Sequence, residues 1–175
     1  TKNERIGHEI LSRLSVAKKA NKHGGRGAPP HSNWDTSALL PLLVTEAGSD
    51  IAMTWLREDP AIVTWALTRT ELSSSIERRA REERLSAAQR KQLLRDINRL
   101  CDDAHEVTDV LAVRERAATL LAHHPLRAAD ACQLAAALLT AEARAGTELA
   151  MVVLDRRLAV AADIEGLDVA SWPTP

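Results

Sequence analysis

ELAMVVLDRRLAVAADIEGL, residues 148–167, is the stretch whose reading decides the fold. Glu148–Leu154, apolar from Leu149 onward, is the clearest strand in the chain. Asp155 closes it, Arg156–Ala162 has helical spacing, and Leu167–Val169 suits a last edge strand. Upstream the same alternation recurs. Pro125 is expected to start a helix that Gly146 ends, and Val110–Ala122 a helix before that. Glu106–Thr108 fits a short strand. Ser86 with Gln89 three residues on resembles a capping box, opening a helix to about Cys101 with Leu93, Leu94, Ile97 and Leu100 as its apolar stripe. Further back come a charged helix over Leu67–Arg84, a strand at Ala61–Thr64 and a helix over Ser49–Arg57. The first strand and helix fall at Asn33–Ser37 and ALLPLLV, with Pro41 expected in the helix's first turn. Strands alternating with helices predict an α/β fold with a mostly parallel sheet, whose ligands sit at the carboxyl ends of the strands.

Length and composition agree with one globular unit. The chain has 175 residues, 45% hydrophobic and 27% charged, with a formal net charge of −1. Its longest uncharged run, Ala131–Ala141, is far shorter than the roughly 20 residues a membrane-spanning helix needs. No basic segment followed by an apolar core opens the sequence, so the cytosol is the expected compartment. Cys101 and Cys132 form no CxxC pair, which excludes a disulfide scaffold or Cys-rich zinc site and leaves two buried small hydrophobes. Phe and Tyr are absent, which argues against reading nucleic acid by base stacking. The charge is uneven. Residues 1–34 carry seven basic against two acidic side chains, a net +5, so the remainder carries −6. Ile6, Ile10, Leu11 and Leu14 predict a short helix within this basic segment, followed by the Gly/Pro-rich linker Asn21–Asn33. The expected organisation is a basic extension over residues 1–32 and one domain over residues 33–175. The extension reads as a solvated tail, a nucleic-acid contact or an arm folded onto an acidic surface.

Four acids stand where strands end or the following helices begin: Asp35, Glu71, Asp130 and Asp155. Each has small or apolar neighbours that a solvated surface acid does not need. Four carboxylates drawn together repel one another unless a cation compensates. Mg²⁺ and Mn²⁺, with their preference for oxygen ligands, are the natural compensators, and a metal so held can assist phosphodiester hydrolysis. With 24 acids in the chain, each of the four also reads as a helix cap or a surface charge.

Taken in order, WDTSALLPLL (34–43), TRTELSSSIERR (68–79), HPLRAADACQLAAAL (124–138) and LDRRLAVAADIEGL (154–167) resemble the PIN-domain nucleases, and most closely the VapC-type toxins of bacterial toxin–antitoxin pairs. The resemblance implies a three-layer α/β/α PIN-like fold and Mg²⁺- or Mn²⁺-dependent cleavage of RNA. It implies that Asp35 and Asp130 hold the main metal, directly or through water, and that Glu71 and Asp155 support that metal or a second one. Ser37 matches a hydroxyl that often orders the site, and otherwise reads as a first-turn helix residue. A VapB-type antitoxin partner, a homodimer paired through the first helices with Trp55 facing the partner, and an RNA substrate are implied as well. Toxins of this type begin only a few residues before the first aspartate, whereas about thirty precede the match here. The basic extension could imitate an antitoxin, with Arg13 or Arg26 reaching the acidic site. An RNA-processing nuclease and a non-catalytic PIN-fold binding module stay open as alternatives.

Smaller features have plain readings. Trp34 and Trp65 are expected in the core. His31, His123 and His124 lack partners at ligand spacing, and His-His-Pro before a helix reads as a polar turn. The charge-dense stretches Glu77–Arg84 and Lys91–Arg99 read as solvated faces laced with i,i+4 pairs. Arg78, Arg79, Arg81 and Arg84 have RNA phosphate contact as their second reading.

Overall fold

A computed structural model describes residues 32–144 and 149–171. The expected N-terminal helix, the linker with Arg26 and His31, and the helix end at Gly146 lie outside the described residues. The elements are β1 (Ser32–Trp34), α1 (Thr36–Leu43), α2 (Ser49–Glu58), β2 (Ile62–Trp65), α3 (Thr68–Arg81), α4 (Ala87–Asp103), β3 (His105–Val107), α5 (Val110–His123), α6 (Ala128–Ala143), β4 (Ala150–Val152), α7 (Arg156–Ile164) and β5 (Asp168–Ala170). The five strands form one sheet in the order β3-β2-β1-β4-β5. Every pairing is parallel, with Asn33 opposite both Val63 and Met151.

Parallel strands joined by helices must be covered on both faces, and the buried side chains show it. Trp34, Ile62 and Val152 pack with Leu39, Leu56, Leu72, Ile76, Ile97 and Leu100 from α1 to α4. Trp65, Met151 and Val153 pack with Val113, Leu120, Leu134, Ala137 and Leu158 from α5 to α7. Successive residues of β4 thus enter opposite layers, the period of two that a strand imposes. Its run is continuously apolar because both faces meet a helix. Trp34 and Trp65 are buried as expected, on opposite faces.

Four local expectations need correction. Pro41 lies inside α1, not in its first turn. It therefore removes one helical hydrogen bond, and the helix ends two residues later. Pro125 does not start α6: the chain turns through a Leu126 N–H to His124 carbonyl bond, and the helix begins at Ala128. The charged faces of α3 and α4 are tied mainly across the helix pair instead of along each helix. Arg69 meets Asp102 and Arg90 meets Glu77, because the two helices pack as a hairpin. The capping box is present: Gln89 N–H donates to the Ser86 hydroxyl and Ser86 N–H to the Gln89 side chain. His124 is no solvated turn residue. It is buried, with Nε2 2.7 Å from Glu165 at the end of α7.

The central helix of the second layer is α6, where Ala131, Leu134, Ala135, Ala136 and Ala137 are fully buried. Small side chains there let the sheet, α5 and α7 all approach one helix. Ala136→Leu should overpack this seam and lower stability by about 1–3 kcal/mol. Urea unfolding checks it: the midpoint should fall with the slope unchanged.

Candidate active site

The strand order places β1 in the centre, with β2 on one side and β4 on the other. The chain leaves β1 toward β2 and returns later to β4, which makes this the topological switch point where open α/β sheets bind ligands. Asp35 and Asp155 flank it. Asp35 follows Trp34 directly, and its N–H extends the ladder to the Val152 carbonyl at 3.0 Å. It then turns the chain into α1 as N-cap, with Oδ2 accepting the Ser37 N–H at 2.8 Å. Asp155 lies three residues beyond β4 and caps α7, with Oδ1 accepting the N–H groups of Arg157 and Leu158. Ser37 joins the two: its Oγ accepts the N–H groups of Leu154 at 2.9 Å and Asp155 at 3.2 Å.

Glu71 sits in the first turn of α3, after β2. Thr68 fixes that turn, its hydroxyl accepting the Trp65 N–H. One oxygen of Glu71, Oε2, accepts both the Thr36 hydroxyl at 2.5 Å and Gln133 Nε2 at 2.9 Å. Asp130 is the third residue of α6, and its Oδ2 accepts the Arg127 N–H at 3.3 Å. Glu71, Asp130 and Asp155 each tie one oxygen to the protein, while no hydrogen bond from a described residue reaches the other. Asp35 is held by both the N–H and the hydroxyl of Ser37.

The electrostatics single out three of them. Asp35 is only 6% exposed, and burial lifts its carboxyl from an ordinary 3.8 to about 6. Hydrogen bonds from the Ser37 hydroxyl and N–H oppose this rise, while the charges of Glu71 and Asp130 add to it. Asp35, Glu71 and Asp130 are thus brought together, whereas Asp155 joins through its backbone bond to Ser37. Cys132 is half-buried, and burial followed by the Glu71 charge pushes its thiol up. Among the described residues no three carboxylate, thiol or imidazole groups converge so as to hold a metal ion by themselves. An ion that keeps several waters and takes only one or two carboxylates, as Mg²⁺ does, still suits the oxygen donors present.

Sequence reasoning missed Thr36, Thr68 and Gln133. Gln133 is 1% exposed, and its amide reaches Thr36 and Thr68 as well as Glu71. Its signal was available: it is the one amide in the uncharged run Ala131–Ala141, three residues after Asp130 and so on the same helix face.

The chain belongs to the PIN domain family, whose model matches residues 34–163. Two curated relatives from Mycobacterium tuberculosis strains, ribonuclease VapC45 and ribonuclease VapC49, are each 31% identical over 137 residues. Each alignment covers 78% of this chain and 92% of the relative. The crystal structure of FitAcB from Neisseria gonorrhoeae superposes with a TM-score of 0.56 at 16% identity. It covers 78% of this chain and 94% of that one, a likeness of fold. The three-layer α/β/α reading therefore holds, with a sheet that is wholly parallel among the described strands.

The raised carboxyl has a consequence for metal-free protein. Asp35 binds its proton more tightly folded than unfolded. Its contribution to stability is complete below pH 3.8 and is lost as pH rises through about 6. At 1.36 kcal/mol per pH unit the loss is ~3 kcal/mol. Asp35→Asn keeps the cap and removes the charge. In chelator the variant should exceed wild type by up to ~3 kcal/mol near pH 8 and match it near pH 4. An equal gap at both pH values in thermal unfolding would refute this origin.

Proposed function

We propose that this chain is a divalent-metal-dependent endoribonuclease acting as the toxin of a toxin–antitoxin pair. The observation that carries the reading is the buried Asp35 carboxyl, lifted to about 6, facing two further acids at the switch point of the sheet. Such an arrangement is costly unless a cation relieves it. The names of the two mycobacterial relatives support RNA as the substrate. In this reading Asp35 and Asp130 hold Mg²⁺ or Mn²⁺, directly or through water, and Glu71 and Asp155 support that ion or a second one. When bound, the ion supplies charge neutralisation at the phosphate and lowers the pKa of a coordinated water. The protein's own part is positional. Ser37 fixes the distance between the ends of β1 and β4, and Glu71 is locked through Oε2. The antitoxin partner, the homodimer and the cytoplasmic location belong to the same reading and rest on family resemblance. No described helix is long and apolar enough to cross a membrane.

An acidic site also repels its polyanionic substrate, so cations must stand near it. Arg127 precedes Asp130, and Arg156 and Arg157 follow Asp155. All three are exposed and have no side-chain partner among the described residues. They sit at the N-termini of α6 and α7, where the helix dipole disfavours positive charge. We assign them to the phosphates on either side of the scissile bond.

Two measurements test this. Purified protein incubated with labelled RNA should cut it with Mg²⁺ or Mn²⁺ and not in chelator. Asp130→Asn should slow cutting by more than about 100-fold, beyond the usual loss from an outer-shell change. Cutting that survives chelator or that substitution would sink the assignment, and silence toward every RNA would favour a non-catalytic binding module. Separately, replacing Arg127, Arg156 and Arg157 with Ala should flatten the salt dependence of single-stranded RNA binding. Each contact removed should take about 0.7 from the slope of log K against log salt. An unchanged slope would remove the arginines from the RNA path.

A further inference from the structure

We propose that Gln133 is the positioning residue that holds the Glu71 carboxylate in the orientation needed to support the metal. The inference rests on the metal-dependent reading of the four acids and extends it to a residue outside them. Gln133 Nε2 lies 2.9 Å from Glu71 Oε2, 3.1 Å from Thr36 Oγ1 and 3.4 Å from Thr68 Oγ1. Thr36 in turn donates its hydroxyl proton to the same Glu71 oxygen at 2.5 Å. Two donors therefore converge on Oε2, and Oε1 is left for whatever the acidic centre holds. The three participants come from three elements, each carrying one of the clustered acids. Thr36 adjoins Asp35, Glu71 is on α3, and Gln133 lies one turn beyond Asp130 on α6. The network thus sets the spacing of carboxylates that would otherwise push apart.

Stability does not account for an amide here. Gln133 is surrounded on its own helix by Ala131, Leu134, Ala136 and Ala137, all fully buried. Its Oε1 is buried without a hydrogen-bond partner among the described residues. An unpaired buried carbonyl costs free energy that leucine at the same place would not. What leucine cannot do is donate to Glu71. The residue is explained by its Nε2 protons, and these point at an acid of the site.

The test separates orientation from packing. Mn²⁺ binding to the full chain is measured by calorimetry without RNA, for wild type, Asp35→Asn, Gln133→Leu, Thr36→Val and the Gln133→Leu/Thr36→Val double variant. Melting temperature is measured in chelator for each. Gln133→Leu should weaken Mn²⁺ binding about 10- to 100-fold, the usual cost of losing an outer-shell hydrogen bond. Its chelated melting temperature should equal or exceed that of wild type. Thr36→Val should weaken Mn²⁺ in the same direction. The double variant should lose less than the product of the two, because both donors serve one oxygen. If Gln133→Leu fails to fold, Thr36→Val carries the test on the same oxygen. Unchanged Mn²⁺ affinity in both single variants, or a loss matched by a fall in chelated melting temperature, overturns the proposal. Equal Mn²⁺ binding by wild type and Asp35→Asn overturns the metal reading itself, and the proposal with it.

Discussion

A carboxylate withdrawn from water beside two other carboxylates is the constraint around which this protein is arranged. Asp35 sits at the end of the central strand, and burial, not neighbouring charge, is the main reason its carboxyl rises to about 6. Glu71 and Asp130 aggravate the problem. The Ser37 hydroxyl and N–H offset only part of it. A globular domain gains nothing in stability from such a place. In the metal-dependent reading proposed above, the ionised form there would meet a cation.

The remaining polar contacts act to keep the acids from relaxing apart. Ser37 receives two backbone N–H groups from the segment after β4, so the ends of β1 and β4 cannot slide. Gln133 and Thr36 close a second set of bonds across α1, α3 and α6. Both sets are at least partly buried, where a hydrogen bond is worth more and a broken one costs more. The surface ion pairs of α3 and α4 are a different matter. Arg90 and Glu77 meet at an exposed face, and pairs of that kind contribute little. They accompany a hairpin whose packing comes from Leu72, Ile76, Leu93 and Ile97.

Much of this was legible in the sequence because it depends on near neighbours along the chain. The β4 run announces itself by its apolar continuity, the Ser86–Gln89 box by its spacing, and the acids by standing after strands. Asp35 and Asp155 are helix caps and Asp130 is a first-turn residue, and those local roles were read alongside the functional one. Pro125 misled because a proline suits a helix start, while the turn through His124 delayed the helix by three residues. His124 itself was read as a turn residue, since its partner Glu165 is 41 residues away.

The sequence by itself therefore determined the element order, the mostly parallel α/β class and which acids stand at the ends of strands as candidates. These follow from periodicity and capping, which act over a few residues. Only the tertiary structure decided that Asp35, Glu71 and Asp130 share one field while Asp155 joins through Ser37. Only it showed that an amide in an alanine-rich helix holds one of those acids. Thr36 and Gln133 are 97 residues apart, and no local rule links them. They meet because parallel strands bring their carboxyl ends to one edge, and packing on both faces leaves the buried polar groups there no partners but each other.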